Sequence, residues 1–266
     1  MKKLSVLAIA FAAIAFAACG GKKAQAVEDA DSLKSFEQQQ IEASIKMHFD
    51  SIAADLGKLK QLPFLQEGEN GVQLTKEEKQ VKPDYLLAPA VADEAATLAE
   101  KYRILSALNV DRKIASMYEL PTEDFDKAIS KLVADIDDPS FKVIDNANTL
   151  YETTTTLYDA MNENGRINNF WQLASAALVE QLYVTNQNAD KFLAVFNDEA
   201  ASNVTYRIVL ILDAVNRLKE YDPEIAPVAD AIAPLDVLNA TSVDELKAQL
   251  AEAKDKIAAA REALIK

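Results

Sequence analysis

The chain has 266 residues, half of them apolar, and a formal charge of −14 at pH 7. A field of that sign repels phosphate backbones and anionic headgroups, which argues against nucleic-acid binding and against electrostatic docking to membranes. With one cysteine and one histidine in the whole chain, neither a disulfide framework nor a zinc cluster is expected.

Residues 1–18 read as a lipoprotein signal peptide. Lys2 and Lys3 precede an uncharged apolar run from Leu4 to Ala18, closing in Phe16-Ala17-Ala18 against Cys19. A charged start, an h-region of about 7–15 residues and small residues before the cut are the marks of a secretion signal, and the run is short of the ~20 residues a spanning helix needs. Removal of this segment takes Lys2, Lys3 and no acid, leaving 26 basic against 42 acidic side chains, a formal balance of −16. Membrane contact then falls to covalent diacylglycerol and N-acyl lipid on Cys19, because several chains at about 0.8 kcal/mol per buried CH₂ anchor stably where one does not. No other cofactor is expected. Residues 19–30 form a polar tether, and 31–266 a single all-helical domain.

From Asp31 to Gln61 the apolar positions Ile41, Ile45, Phe49, Ile52, Leu56 and Leu59 recur at threes and fours, predicting one long amphipathic helix. His48 lies beside this stripe as a solvated or capped histidine. Residues 62–89 carry Pro63, Pro83, Pro89, Gly68 and Gly71 and read as irregular, the place to look for a lid or contact surface. A helix is expected from Ala90 to Leu108 and a short one from Asp111 to Glu119. Pro121-Thr122 opens the next, on Phe125, Ile129, Leu132 and Ile136. Asp138-Pro139 repeats the device for a helix over 139–164 that buries Phe141, Ile144, Ala147, Tyr151, Thr154, Tyr158 and Met161 and stops at Gly165 in a left-handed cap. Phe170 to Val184 is apolar almost all round, which marks a central helix.

Beyond it, Phe192 to Leu218 reads as one long helix or two, broken near Asn197 to Ser202. Pro227 and Pro234 leave room only for a short or kinked helix over 224–238. Ser242 and Glu245 form a capping box for a last helix on Leu246, Leu250, Ala253, Ile257, Ala260 and Leu264. The fold expected is all-α, an irregular bundle of about eight or nine helices.

Chemistry has few carriers. The chain lacks a His-Glu-x-x-His or Gly-x-Ser-x-Gly pattern, and beyond Gly71 it has a single glycine, so phosphate-cradling loops are not expected. Carboxylates remain. Asp135, Asp137 and Asp138 cluster at a helix junction and could hold a cation, though without calcium-loop spacing. Glu180 sits in the most apolar helix, where a lone carboxylate would cost several kcal/mol, so it must be paired, hydrogen-bonded or protonated. Arg207 and Arg103 are its candidate partners. Glu180, Tyr183, Trp171 and Gln187 therefore form a candidate polar core or ligand pocket between helices.

The run Ala177-Leu178-Val179-Glu180-Gln181-Leu182-Tyr183-Val184-Thr185-Asn186-Gln187 resembles the signature helix of an uncharacterised family of all-helical lipoproteins from Bacteroidota, whose pattern is Gly-Gly-Trp-x-Glu-x-Leu-Tyr with a Thr-Gln shortly after. Ala107 to Ala115 is similar to that family's second marker, and the likeness spans about Tyr85 to Gln187. The family's Gly-Gly-Trp is Ala176-Ala177-Leu178 here, and its marker Gly and Asp are Asn109 and Lys113. The resemblance implies an all-helical fold and an envelope location, not an activity.

The expectation is therefore an acylated envelope lipoprotein of a Gram-negative bacterium, outer rather than inner membrane and periplasmic rather than surface-facing. Its domain is expected to be a non-catalytic binding or structural module, with an envelope protein or small ligand as partner. A ligand-sequestering pocket near Glu180 is the alternative, and an enzyme of carboxylate chemistry a third reading.

Overall fold

A computed structural model of the chain describes residues 36–66, 71–143 and 154–265, so the signal peptide, Cys19 and the tether lie outside the described residues. All regular structure among them is helical, in eleven α-helices joined by turns and short 3₁₀ segments. The chain divides into two compact units, 1–46 and 47–266. Of the first, only the opening turns of α1 (Phe36–Lys58) are described. The second holds α2 (Lys76–Lys79), α3 (Leu98–Met117), α4 (Glu123–Ile136), α5 (Thr154–Glu163), α6 (Ile167–Gln187), α7 (Ala189–Phe192), α8 (Asp198–Leu218), α9 (Ala226–Ile232), α10 (Val243–Glu252) and α11 (Lys254–Ile265).

Starts and stops follow local chemistry. Thr97 caps α3 by accepting from Glu100 N at 3.2 Å, while the Glu100 carboxylate accepts from Thr97 N at 2.8 Å. Two donors that a helix start leaves unpaired are thereby satisfied. Gly165 ends α5 at φ +67, with Arg166 N donating to Met161 O at 2.7 Å, the wrap-around bond of a left-handed cap. Asn197 caps α8 by accepting from Ala200 N at 2.8 Å.

Several expected elements differ. Residues 90–119 hold one helix where two were expected. Nothing between Leu108 and Asp111 breaks the backbone ladder, and the Asn109 side chain donates back to Leu105 O at 2.8 Å instead of interrupting it. Ahead of α3, residues 89–93 form a 3₁₀ turn. The helix expected over 139–164 is a 3₁₀ turn at Pro139–Val143 and then α5, with Ile144, Ala147 and Tyr151 outside the described residues. The last helix is two, parted at Ala253. Ser242 caps α10 as expected, but Glu245 reaches to Thr241 N and Oγ1 at 2.8 and 2.9 Å, so the reciprocal half of the box serves the residue before the cap.

The core is built around α6, which packs most extensively on α3 and then on α11. Its buried side chains run all round the helix, from Phe170 to Thr185, as the near-continuous apolar run predicts. At its N-terminal end Trp171 packs edge-on to Phe170, ring centroids 5.0 Å apart, and against Phe49 and Tyr158 at 5.9 and 6.1 Å. Each such aromatic pair adds about 0.5–1.5 kcal/mol to the area it buries. Near the C-terminal end of α1, Gly57 faces α5 so closely that an added Cβ would lie 2.0 Å from Thr155 Oγ1. Thr155, on an exposed rim of the domain, thus makes a close helix contact with α1.

Candidate functional site

Three helices converge on one charged cluster. Glu180 on α6 and Asp111 on α3 are 1 % and 0 % exposed, and Arg261 comes to them from α11. Arg261 Nε donates to Glu180 Oε2 and Nη2 to Glu180 Oε1, both at 2.7 Å, a two-pronged pairing that fixes the plane of the guanidinium. Nη2 also donates to Tyr85 O at 3.1 Å and stands 3.7 Å from Asp111 Oδ2. The Tyr183 ring lies under the guanidinium, its centroid 4.0 Å from Cζ. A cation over an aromatic face adds about 0.5–2 kcal/mol, the more so where water is excluded.

The cluster holds two acids and one cation. Asp111 Oδ2 accepts from Leu87 N at 2.6 Å, but Oδ1 is buried with no donor among the described groups. Burial, and then the Glu180 carboxylate beside it, push the Asp111 carboxyl well above the usual carboxylate range. Burial raises Glu180 as well, against the bonds from Arg261 and Asp111 that hold it down. For Arg261 burial works to lower the pKa, and the Glu180 pairing outweighs it and raises it. The raised values of both acids favour one proton held between the two carboxyls, with Arg261 pairing the remaining negative charge. The net charge of the cluster is then zero. The Tyr85 phenol is pushed up too, by burial first and by Tyr118 second.

Of the four residues singled out in the sequence, the structure brings together Glu180 and Tyr183, both through Arg261. Glu180 is the paired carboxylate that burial demands, and it faces a cation, not a cavity. Trp171 stands nine residues earlier on α6, ~13.5 Å along its axis, fully buried in the aromatic cluster, its Nε1 without a hydrogen-bond partner among the described residues. Gln187 is half-buried about two turns past Glu180. The expected partners serve elsewhere: Arg103 donates to Leu264 O at 2.7 Å and to Gln172 Oε1 at 2.8 Å, and Arg207 to Lys60 O at 3.0 Å. Arg261 and Asp111 are the residues that sequence reasoning missed. Arg261 sits just after Ala260 of the apolar stripe of the last helix, so it borders the core, and that position was the available signal.

His48 Nε2 meets Asp213 Oδ2 at 2.8 Å, and Arg217 donates to the other oxygen at 3.1 Å. Asp138 accepts from Ser140 N at 2.8 Å and from the Tyr102 hydroxyl, whose pKa burial and that bond push up. Asp137 is the left-handed end of α4 at φ 48. Among the described residues no three side chains of the ligating kinds gather for a metal ion. None of the described helices is long and apolar enough to cross a membrane. In comparisons with known proteins the chain matches no family model, and neither a curated protein nor a solved structure matches it.

Proposed function

We propose that this chain is a lipid-anchored envelope protein whose helical domain binds and does not catalyse. The observation that carries the second half is the state of its acid–base cluster. Glu180, Asp111 and Arg261 direct their strong interactions at one another beneath the surface, the carboxylates 1 % and 0 % exposed, so no proton donor or nucleophile of that set faces a substrate. A catalytic acid must reach the proton it moves within about 2.6–3.2 Å or through one water. For the anchor, support comes from the Lys2-Lys3 start, the apolar run and Cys19, and from the resemblance to the helical lipoproteins of Bacteroidota. A periplasmic face of the outer membrane and a small ligand or envelope protein as partner complete the reading.

The anchor is tested by growing cells with an alkyne-bearing palmitate analogue. The full chain should take up label and Cys19→Ala should not; labelling of Cys19→Ala at wild-type level refutes lipidation at that residue. Binding is tested by titrating the full chain in lipid nanodiscs with a small-molecule extract of the envelope while following Trp171 emission, which reports on Phe170 and the helices around it. A saturable change is expected, and a flat response counts against a binding domain.

A further inference from the structure

We infer that a cavity on another face of α6 is a binding site for a small, uncharged, phenol-like molecule: one ring with one hydroxyl. Phe170, Leu173, Ala174, Ala177, Leu178 and Gln181 recur at threes and fours along α6 and form one wall, turned ~100° per residue from Glu180 at Gln181. Opposite them stand Leu56 of α1, Leu157 of α5 and Ile211 of α8. The space they line is about 70 Å³ and is open on one side. A closed apolar cavity that takes a benzene ring has about 150 Å³, so a single ring is the largest body this half-open space admits, with part of it at the mouth.

The polar content of this wall defines the head group. Gln181 is 2 % exposed, yet its Oε1 is buried without a hydrogen-bond partner among the described residues. An unpaired buried amide destabilises the fold, and a leucine at this place in an apolar stripe would not carry that penalty. The glutamine therefore presents an acceptor to the cavity, and what answers it is a donor. Ser106 is already committed, its hydroxyl donating to Leu173 O at 2.9 Å. Arg207, fixed by Lys60 O at 3.0 Å, places a positive charge in the lining and disfavours a cationic ligand. Gln181 Oε1, an acceptor that a negatively charged oxygen cannot answer, disfavours an anionic one. A neutral ring whose hydroxyl donates to Gln181 Oε1 meets each of these conditions.

This inference rests on the reading of the domain as a binder and is independent of the anchor. The test uses the full chain in lipid nanodiscs, with empty nanodiscs as background, and ¹⁹F NMR titration with 4-fluorophenol and fluorobenzene, two probes that differ by the hydroxyl. Saturable binding of both is expected, fluorobenzene roughly fivefold weaker, the ratio that one net hydrogen bond supplies. Gln181→Leu should erase that preference and raise the thermal midpoint, and Ala177→Leu, which fills the space, should remove binding of both probes. Helical circular dichroism checks each variant, and Gln181→Leu alone decides the matter should Ala177→Leu not fold. No saturable 4-fluorophenol binding above empty nanodiscs overturns the proposal, as does an unchanged preference in Gln181→Leu. If the probes fail while Trp171 still answers the envelope extract, the phenol site falls and the binding function stands.

Discussion

Replacing Arg261 by Met keeps most of the apolar stem and removes the cation from a site where two acids are 0 % and 1 % exposed. What is lost is a pair of 2.7 Å bonds to Glu180, a 3.1 Å bond to Tyr85 O and the charge 3.7 Å from Asp111. Charge-assisted bonds of this kind are worth about 1.5–3 kcal/mol each, but they are not additive, and breaking a buried pair from one side costs about 3–5 kcal/mol in all. The pH dependence separates this cause from lost packing. An acid whose folded pKa is raised holds its proton more tightly in the folded chain, so its stability is full below the unfolded value and is lost as pH rises towards the folded one. Asp111 and Glu180 both have raised values, from ordinary ones of 3.8 and 4.5. Removing Arg261 takes away an interaction that lowers both, so the window of loss widens upward. Urea unfolding should show a penalty of about 3–5 kcal/mol near neutral pH that shrinks as pH falls towards ~4.5. A penalty equal at both ends of that range refutes the electrostatic account and leaves the Tyr183 stacking as the cause. Adding Glu180→Gln to Arg261→Met should recover much of the loss, because the uncompensated charge is then gone.

Asp111→Asn replaces an acid that shares a proton with Glu180 by a neutral amide of the same shape, and should hold stability within about 1 kcal/mol at neutral pH while flattening the fall of stability with rising pH; a large loss at neutral pH would mean Asp111 is ionised in the folded chain. Gly57→Ala alone should give little of the ~1 kcal/mol that alanine offers over glycine in a helix, because its Cβ meets Thr155 Oγ1 at 2.0 Å, whereas in a Thr155→Ala background the gain should appear. Thermal unfolding of the four variants checks this, and a full gain in Gly57→Ala alone would show that the threonine turns aside freely.

The fold was legible wherever periodicity and capping agreed. Phe125, Ile129, Leu132 and Ile136 are all buried on α4, and the apolar run of α6 is the centre of the core, as their spacings predict. The extent of α3 was harder to see, because Thr97-Leu98-Ala99-Glu100 is a capping box embedded in an alanine-rich stretch, while Asn109 looks like a break and instead bonds back to Leu105 O. At the cluster, the sequence required that Glu180 be paired and could not say with what. Its partner is 81 residues away on an amphipathic helix, and local spacing carries no information about which faces meet. The Gln181 cavity escaped for the same reason: polar Gln181 follows Glu180 directly, and only the packing of α1, α5 and α8 separates a paired acid from an amide facing open space.

The apolar face of α11 is nearly self-similar. Ile257, Ala260 and Leu264 follow one another at three and four residues, so sliding the helix ~5.4 Å along α6 would still bury aliphatic side chains in rough complementarity. Dispersion and hydrophobic burial barely distinguish such frames. The two guanidiniums do: Arg261 forks onto Glu180 while Arg103, from α3, clasps the Leu264 carbonyl, and both can be met in one frame only. A slip by one turn would strand a carboxylate and a cation in a dry interior. Buried charge that adds little net stability thereby acts as a vernier, setting where along the groove the helix comes to rest.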